Sequence, residues 1–154
     1  MTMKRITTIL FLLLASIYAQ AFTLVIDPGH GGKDAGAIGK NSKEKDINLA
    51  VALAFGEMVK ANFPDVKVIF TRKTDVFVEL SERANIANKA KADLFVSIHT
   101  NSLPKGRISR GTETYTLGMH KAAENLEVAK RENSVITMES NYKTHYEGFD
   151  PSSS

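Results

Sequence analysis

Apolar and polar positions alternate along this chain with two distinct periods, and the change of period marks out the predicted elements. Phe22 to Ile26 is a short run rich in β-branched residues, closed by Pro28-Gly29, and reads as a strand. From about Lys43 to Asn62, apolar residues recur at helical spacing (Ile47, Ala50, Val51, Ala54, Phe55, Met58, Val59), and Pro64 ends the pattern. Val66 to Phe70 reads as a second strand. A second helix is predicted from about Glu79 to Lys91, with Leu80, Ala84, Ala87 and Ala90 on one face. Asp93 to Ile98, "DLFVSI", is a third strand, apolar enough to be buried on both faces. Thr112 to Leu117 alternates with period two and reads as a fourth strand. Beyond it, residues 121–135 follow a charged helical pattern with a weak stripe of Ala122, Leu126 and Ala129, and the tail from Met138 is irregular.

A β-α-β-α-β order implies a mostly parallel twisted sheet flanked by helices, because right-handed crossovers return the chain to the same edge before each strand. The fold class is α/β. The C-terminal ends of the strands then share one edge, where open α/β sheets bind ligands.

The start of the chain changes what composition means. Lys4 and Arg5 precede an apolar run from Ile6 to Ala19, and Ala19-Gln20-Ala21 is a cleavage signature. Residues 1–21 read as a secretory signal peptide, the run being too short to span a bilayer. The expected location is the periplasm or the medium, with no membrane anchor after cleavage. Loss of residues 1–21 removes two basic and no acidic side chains, so the net charge falls from +3 to +1. Such a chain has no electrostatic footprint for nucleic acid. There is no cysteine, which excludes disulfides and attachment as a lipoprotein. Residues 22–154 suit one domain with a core of its own.

His30, in "VIDPGHGG", follows the first strand; His99, in "SIHTN", follows the third; Glu44 opens the helix after the first strand. Topology alone brings two imidazoles and one carboxylate to the same crevice. Two His and one Glu with an open fourth position form a catalytic zinc set, suited to amide hydrolysis. Gly29, Gly31 and Gly32 permit a sharp turn there. Asp27 is placed to accept a hydrogen bond from the far nitrogen of a liganding His. The plainer alternatives are solvated loop histidines and a Glu44 that only offers favourable charge at a helix start. A phosphate cradle is disfavoured, since "GHGGKDAG" lacks both the G-x-G-x-x-G order and a G-K-[ST] ending. His120 and His145 read as surface side chains.

"VIDPGHGGKDAGAIG", "EKDINLAVA", "TRKTD", "LSERANIANKAKADLFVSIHTN" and "GTETYTL" together resemble the zinc-dependent N-acetylmuramoyl-L-alanine amidases, bacterial cell-wall enzymes, continuously from about Leu24 to Leu117. The resemblance implies that His30, Glu44 and His99 ligate Zn2+. It also implies hydrolysis of the amide between N-acetylmuramic acid and L-alanine in peptidoglycan, as in cell-wall remodelling and daughter-cell separation. In that family a glutamate on a late strand serves as base and acid. No such strand follows here, so the chain reads as C-terminally short, with no catalytic residue assigned and an apolar sheet edge expected to be bare. Glu139 and Glu147 are the only glutamates late enough to substitute, and neither has a strand around it. Residues 121–150 resemble an insert of division amidases, in which a helix covers the zinc until an activator protein moves it. Glu139 is the candidate inhibitory carboxylate. The alternative function is a zinc-retaining but inactive peptidoglycan-binding fragment or regulator; a nucleotide-binding domain is disfavoured, and another zinc hydrolase of small peptides is argued against only by the resemblance.

Overall fold

The computed structural model describes residues 21–102, 108–116 and 123–146; residues 1–20 of the predicted leader, His120 and Glu147 lie outside them. Strand β1 (Thr23–Pro28) is followed by helix α1 (Glu44–Asn62), strand β2 (Lys67–Phe70), helix α2 (Leu80–Lys89) and strand β3 (Leu94–Ile98). Helix α3 (Ala123–Asn133), a 3-10 helix (Ser134–Met138) and the single turn α4 (Tyr142–His145) complete the described elements. The sheet is parallel, in the order β2-β1-β3. Thr23 pairs with Lys67 and Leu24 with Leu94, so all three strands point the same way. The α/β reading holds.

β1 is central and buried along its whole length. Leu24 and Ile26 face α1 and form the core with Ala52 and Phe70, joined by Phe55, Val59, Val68, Val96 and Ile98. Gly56 is the point of closest approach: a Cβ there would lie 2.2 Å from the Phe70 ring. The helix starts with Glu44 and Asp46 in its first turn and has Lys60 in its last, complementing its dipole. Its first amides bond to loop carbonyls, Glu44 N–H to Ala37 O (2.9 Å) and Lys45 N–H to Ala35 O (3.3 Å), which fastens the helix to the turn after β1.

Three expectations are corrected. α1 buries Lys45, Asn48, Ala52 and Gly56, whereas Val51 and Met58 of the predicted face are 49 % and 62 % exposed. The helix is apolar on more than one side: Phe55 and Val59 of the predicted face do pack against the core, but the most buried line runs beside them through Asn48, Ala52 and Gly56. β3 is not buried on both faces: it is an outer strand, and Leu94 and Phe95 stand exposed. Residues 112–116 form no strand, and Leu117 lies outside the described residues. No strand among the described residues pairs with the outer edge of β3.

Candidate metal centre

His30 leaves the C-terminal end of β1 in a left-handed conformation (φ 62°), rare for a residue with a Cβ. Two buried arginines hold that turn. Arg72 donates to the carbonyls of Pro28 (2.9 Å), Gly29 (2.9 Å) and Lys45 (2.9 Å). Arg83 donates to Pro28 O (3.0 Å) and His30 O (2.9 Å), and pairs with Asp27 Oδ1 at 2.6 Å. The carbonyls of residues 28 to 30, which have no sheet partner to spare, thus bond to guanidinium groups instead of water. Burial and the neighbouring Arg83 charge both push the Arg72 pKa down from its ordinary value.

The crevice brings His30, Glu44 and His99 together, as the topology requires, and adds Glu132 from the end of α3. His30 Nε2 lies 3.3 Å from Glu44 Oε1 and 3.3 Å from Glu132 Oε2. His99 Nδ1 lies 3.3 Å from Glu44 Oε1 and 2.9 Å from Glu132 Oε2. A tetrahedral ion with bonds of about 2.0–2.1 Å needs donor separations of about 3.3 Å. His30 Nε2 is buried and makes no hydrogen bond, although two carboxylates stand within ion-pair distance. An unsatisfied imidazole nitrogen facing two carboxylate oxygens and a second imidazole suits a divalent cation. The residues fit a metal ion.

Each ligand candidate is oriented from behind. Asp34 Oδ2 accepts a hydrogen bond from His30 Nδ1 at 2.7 Å, which leaves Nε2 as the free nitrogen. Glu44 accepts from Ala37 N–H (2.9 Å) on one oxygen and from Thr100 N–H (2.8 Å) on the other. The His99 ring rests on Gly29, where a Cβ would lie 2.4 Å from Cε1. The same carboxylates favour the charged form of both imidazoles. Burial alone would lower the His30 pKa, but the carboxylates of Asp34, Glu132 and Glu44 raise it to about 11. Burial opposes His99 in the same way, and Glu132 with Glu44 raises it to about 9. Burial would raise Glu132, yet its contacts with His30 and His99 bring it to about 2, and the same two imidazoles hold Glu44 well below the usual carboxylate range.

Two expected roles fall elsewhere. Asp27 touches neither imidazole: it accepts from Thr71 Oγ1 (2.5 Å), Arg83 (2.6 Å) and Ser97 Oγ (2.7 Å). It lies inside β1 on the face opposite Leu24 and Ile26, away from the turn; Asp34 does what Asp27 was expected to do. Glu139 is not at the centre either. The 3-10 helix turns the chain after α3, so Glu139 reaches the start of α2, where Oε1 accepts Leu80 N–H at 2.6 Å. The carboxylate closing the centre is Glu132. Nothing in the pattern of residues 121–135 distinguishes it from its charged neighbours, whereas Asp34, four residues after His30 in a glycine turn, was open to detection.

The chain matches the N-acetylmuramoyl-L-alanine amidase family over residues 24–152. It belongs to that family. Among curated relatives it is 49 % identical over 90 residues to the endolysin of Bacillus phage SPP1, covering 58 % of this chain and 32 % of that one. It is 37 % identical over 113 residues to the probable N-acetylmuramoyl-L-alanine amidase AmiB of Haemophilus influenzae, covering 72 % and 26 %. Among solved structures, the N-acetylmuramoyl-L-alanine amidase of Clostridium difficile 630 superposes with a TM-score of 0.56 at 39 % identity, over 60 % of this chain and 50 % of that one. The chain therefore spans a third or less of these curated relatives and half of that solved amidase chain. The family acts on the cell wall, outside the cytoplasm.

Proposed function

We propose that this amidase-family chain serves the hydrolysis of the amide between N-acetylmuramic acid and L-alanine in peptidoglycan, with zinc held by His30, Glu44 and His99. The observation that carries the reading is the buried Nε2 of His30, which makes no hydrogen bond and faces three further donors. When bound, zinc would polarise the scissile carbonyl and lower the pKa of a water. The chain's own residues supply the orientation. Asp34 fixes the His30 tautomer, Glu44 is clamped by two backbone amides, and Arg72 and Arg83 hold the turn so that the metal need not organise it. Among the described residues, the carboxylates at the centre are engaged as ligands or in holding His30, which leaves the general base unassigned. Export through residues 1–21 belongs to the same proposal.

A second feature is part of the reading. Glu132 stands where a water or substrate oxygen would complete the tetrahedron, so the arrangement is a closed form. Val135 and Ile136, buried just after it, anchor the segment. A periplasmic partner that withdraws α3 would open the centre. The test uses the zinc-loaded chain on isolated peptidoglycan, following newly freed L-alanine amino termini. Release by Glu132→Ala above wild type, abolished by adding His30→Ala, is the expected result. No release from any variant despite one bound zinc would replace catalysis by a metal-retaining wall-binding role. Loss of zinc binding in none of the His30, Glu44 or His99 variants would overturn the centre itself.

A further inference from the structure

A second group of donors lies apart from this centre. Glu79, immediately before α2, Glu139, immediately after the 3-10 helix, and His145, at the end of α4, each bring one donor atom to within 4.8 Å of the others. We propose that these three side chains hold a second divalent cation, of the zinc class, which straps the segment after α3 to the start of α2.

Glu139 makes the cluster more than a group of surface acids. It is 4 % exposed, and while Oε1 accepts Leu80 N–H at 2.6 Å, Oε2 is buried without a hydrogen-bond partner. The buried Tyr146 hydroxyl interacts with the Glu139 carboxylate; burial and that carboxylate push its pKa up, but it is neutral and brings no counter-charge. A buried carboxylate without a counter-ion is costly, and a cation removes that cost. Glu79 has the matching arrangement: Oε1 accepts from Ser140 Oγ (3.2 Å) and Ser140 N–H (3.5 Å), leaving its second oxygen available. Carboxylates held by a hydrogen bond on one oxygen while the other binds are the usual form of a metal-ligating pair. His145 is exposed, so its ring can swing onto the carboxylates at small cost. One imidazole nitrogen with two carboxylate oxygens selects a borderline divalent ion over magnesium or calcium.

The experiment counts zinc on the full chain after chelation and dialysis against zinc, using elemental analysis and titration with a chromogenic chelator. Two equivalents are expected for wild type. One is expected for His145→Ala, whose exposed position leaves the fold intact, and for Glu79→Gln. The double variant His30→Ala/His99→Ala should also retain one, and combining it with His145→Ala should leave none. Wild type binding one equivalent that His145→Ala keeps would overturn the proposal. So would a second equivalent that His145→Ala and Glu79→Gln do not weaken, the mark of an adventitious ion only. Zinc lost in His145→Ala yet unchanged in His30→Ala/His99→Ala would support this site and refute the first, so the two readings fail separately.

Discussion

Replacing Asp34 by Ala tests whether the centre depends on how His30 is held. Asp34 Oδ2 lies 2.7 Å from His30 Nδ1, and both side chains are 9 % exposed, so water cannot readily replace the bond. Hydrogen bonds to a charged group contribute about 1.5–3 kcal/mol, which corresponds to about a tenfold to hundredfold change in an equilibrium constant. Loss of a group that orients a metal-bound histidine weakens the metal by about 10- to 100-fold, an independent estimate of the same size. The backbone of the turn should survive, because the bonds between Gly31 and Asp34 run through main-chain atoms (2.9 and 3.1 Å). Zinc affinity at fixed pH, measured by chelator competition, should therefore fall by about one to two orders of magnitude in Asp34→Ala and less in Asp34→Asn. The exposed Asp46, replaced by Ala, is the control. Affinity within about twofold of wild type in Asp34→Ala would show that the His30 tautomer is set by something else.

Three further outcomes are expected. In metal-free protein, the raised imidazoles contribute stability that is complete below their ordinary pKa of 6.5 and is lost as pH rises through about 9 for His99 and about 11 for His30. The lowered Glu132 contributes stability above 4.5 that is lost as pH falls through about 2. Urea unfolding without metal should therefore be most difficult between about pH 4.5 and 6.5, with zinc extending stability upward; a metal-free profile flat from pH 6 to 10 would refute the coupling. Arg83→Met leaves Asp27 buried with only hydroxyl partners and should cost about 3–5 kcal/mol in denaturant unfolding; a loss below about 1 kcal/mol would mean that Asp27 accepts a proton or water in its place. Gly29→Ala drives a methyl into the His99 ring and should weaken zinc binding while metal-free stability stays nearly unchanged; the reverse pattern would place the strain in the backbone.

The parts of this molecule legible in sequence are those set by chain direction. His30, Glu44 and His99 were found because the ends of parallel strands and the start of the intervening helix must share an edge, whatever the side chains do. The parts that were not legible are set by burial of polar groups. Arg83 lies within a helix whose apolar stripe was read from Leu80, Ala84 and Ala87, yet the side chain turned inward is the arginine, bonded to Asp27 and three carbonyls. Hydrophobic periodicity cannot anticipate this, since it treats every charge as a mark of the solvent face. The face of α1 was only partly legible for the opposite reason: with alanine, valine and phenylalanine on several sides, its pattern permitted more than one rotation, and the close approach of Gly56 to Phe70 goes with the one observed. Glu132 is reached through α3 and held by the burial of Val135 and Ile136, contacts between segments about a hundred residues from His30 along the chain.

The two kinds of information divide along a physical line. A strand's direction follows from short-range pairing, but the orientation of a metal ligand follows from which carbonyls and carboxylates lack water. In this chain those groups are the carbonyls of residues 28 to 30 and the carboxylates of Asp27, Asp34 and Glu44, and each has a named donor. The turn bearing His30 is therefore held by donors of the chain itself. A left-handed histidine is tolerable on those terms: Arg83 on its own carbonyl and Asp34 on its ring offset a backbone strain of about 1–3 kcal/mol.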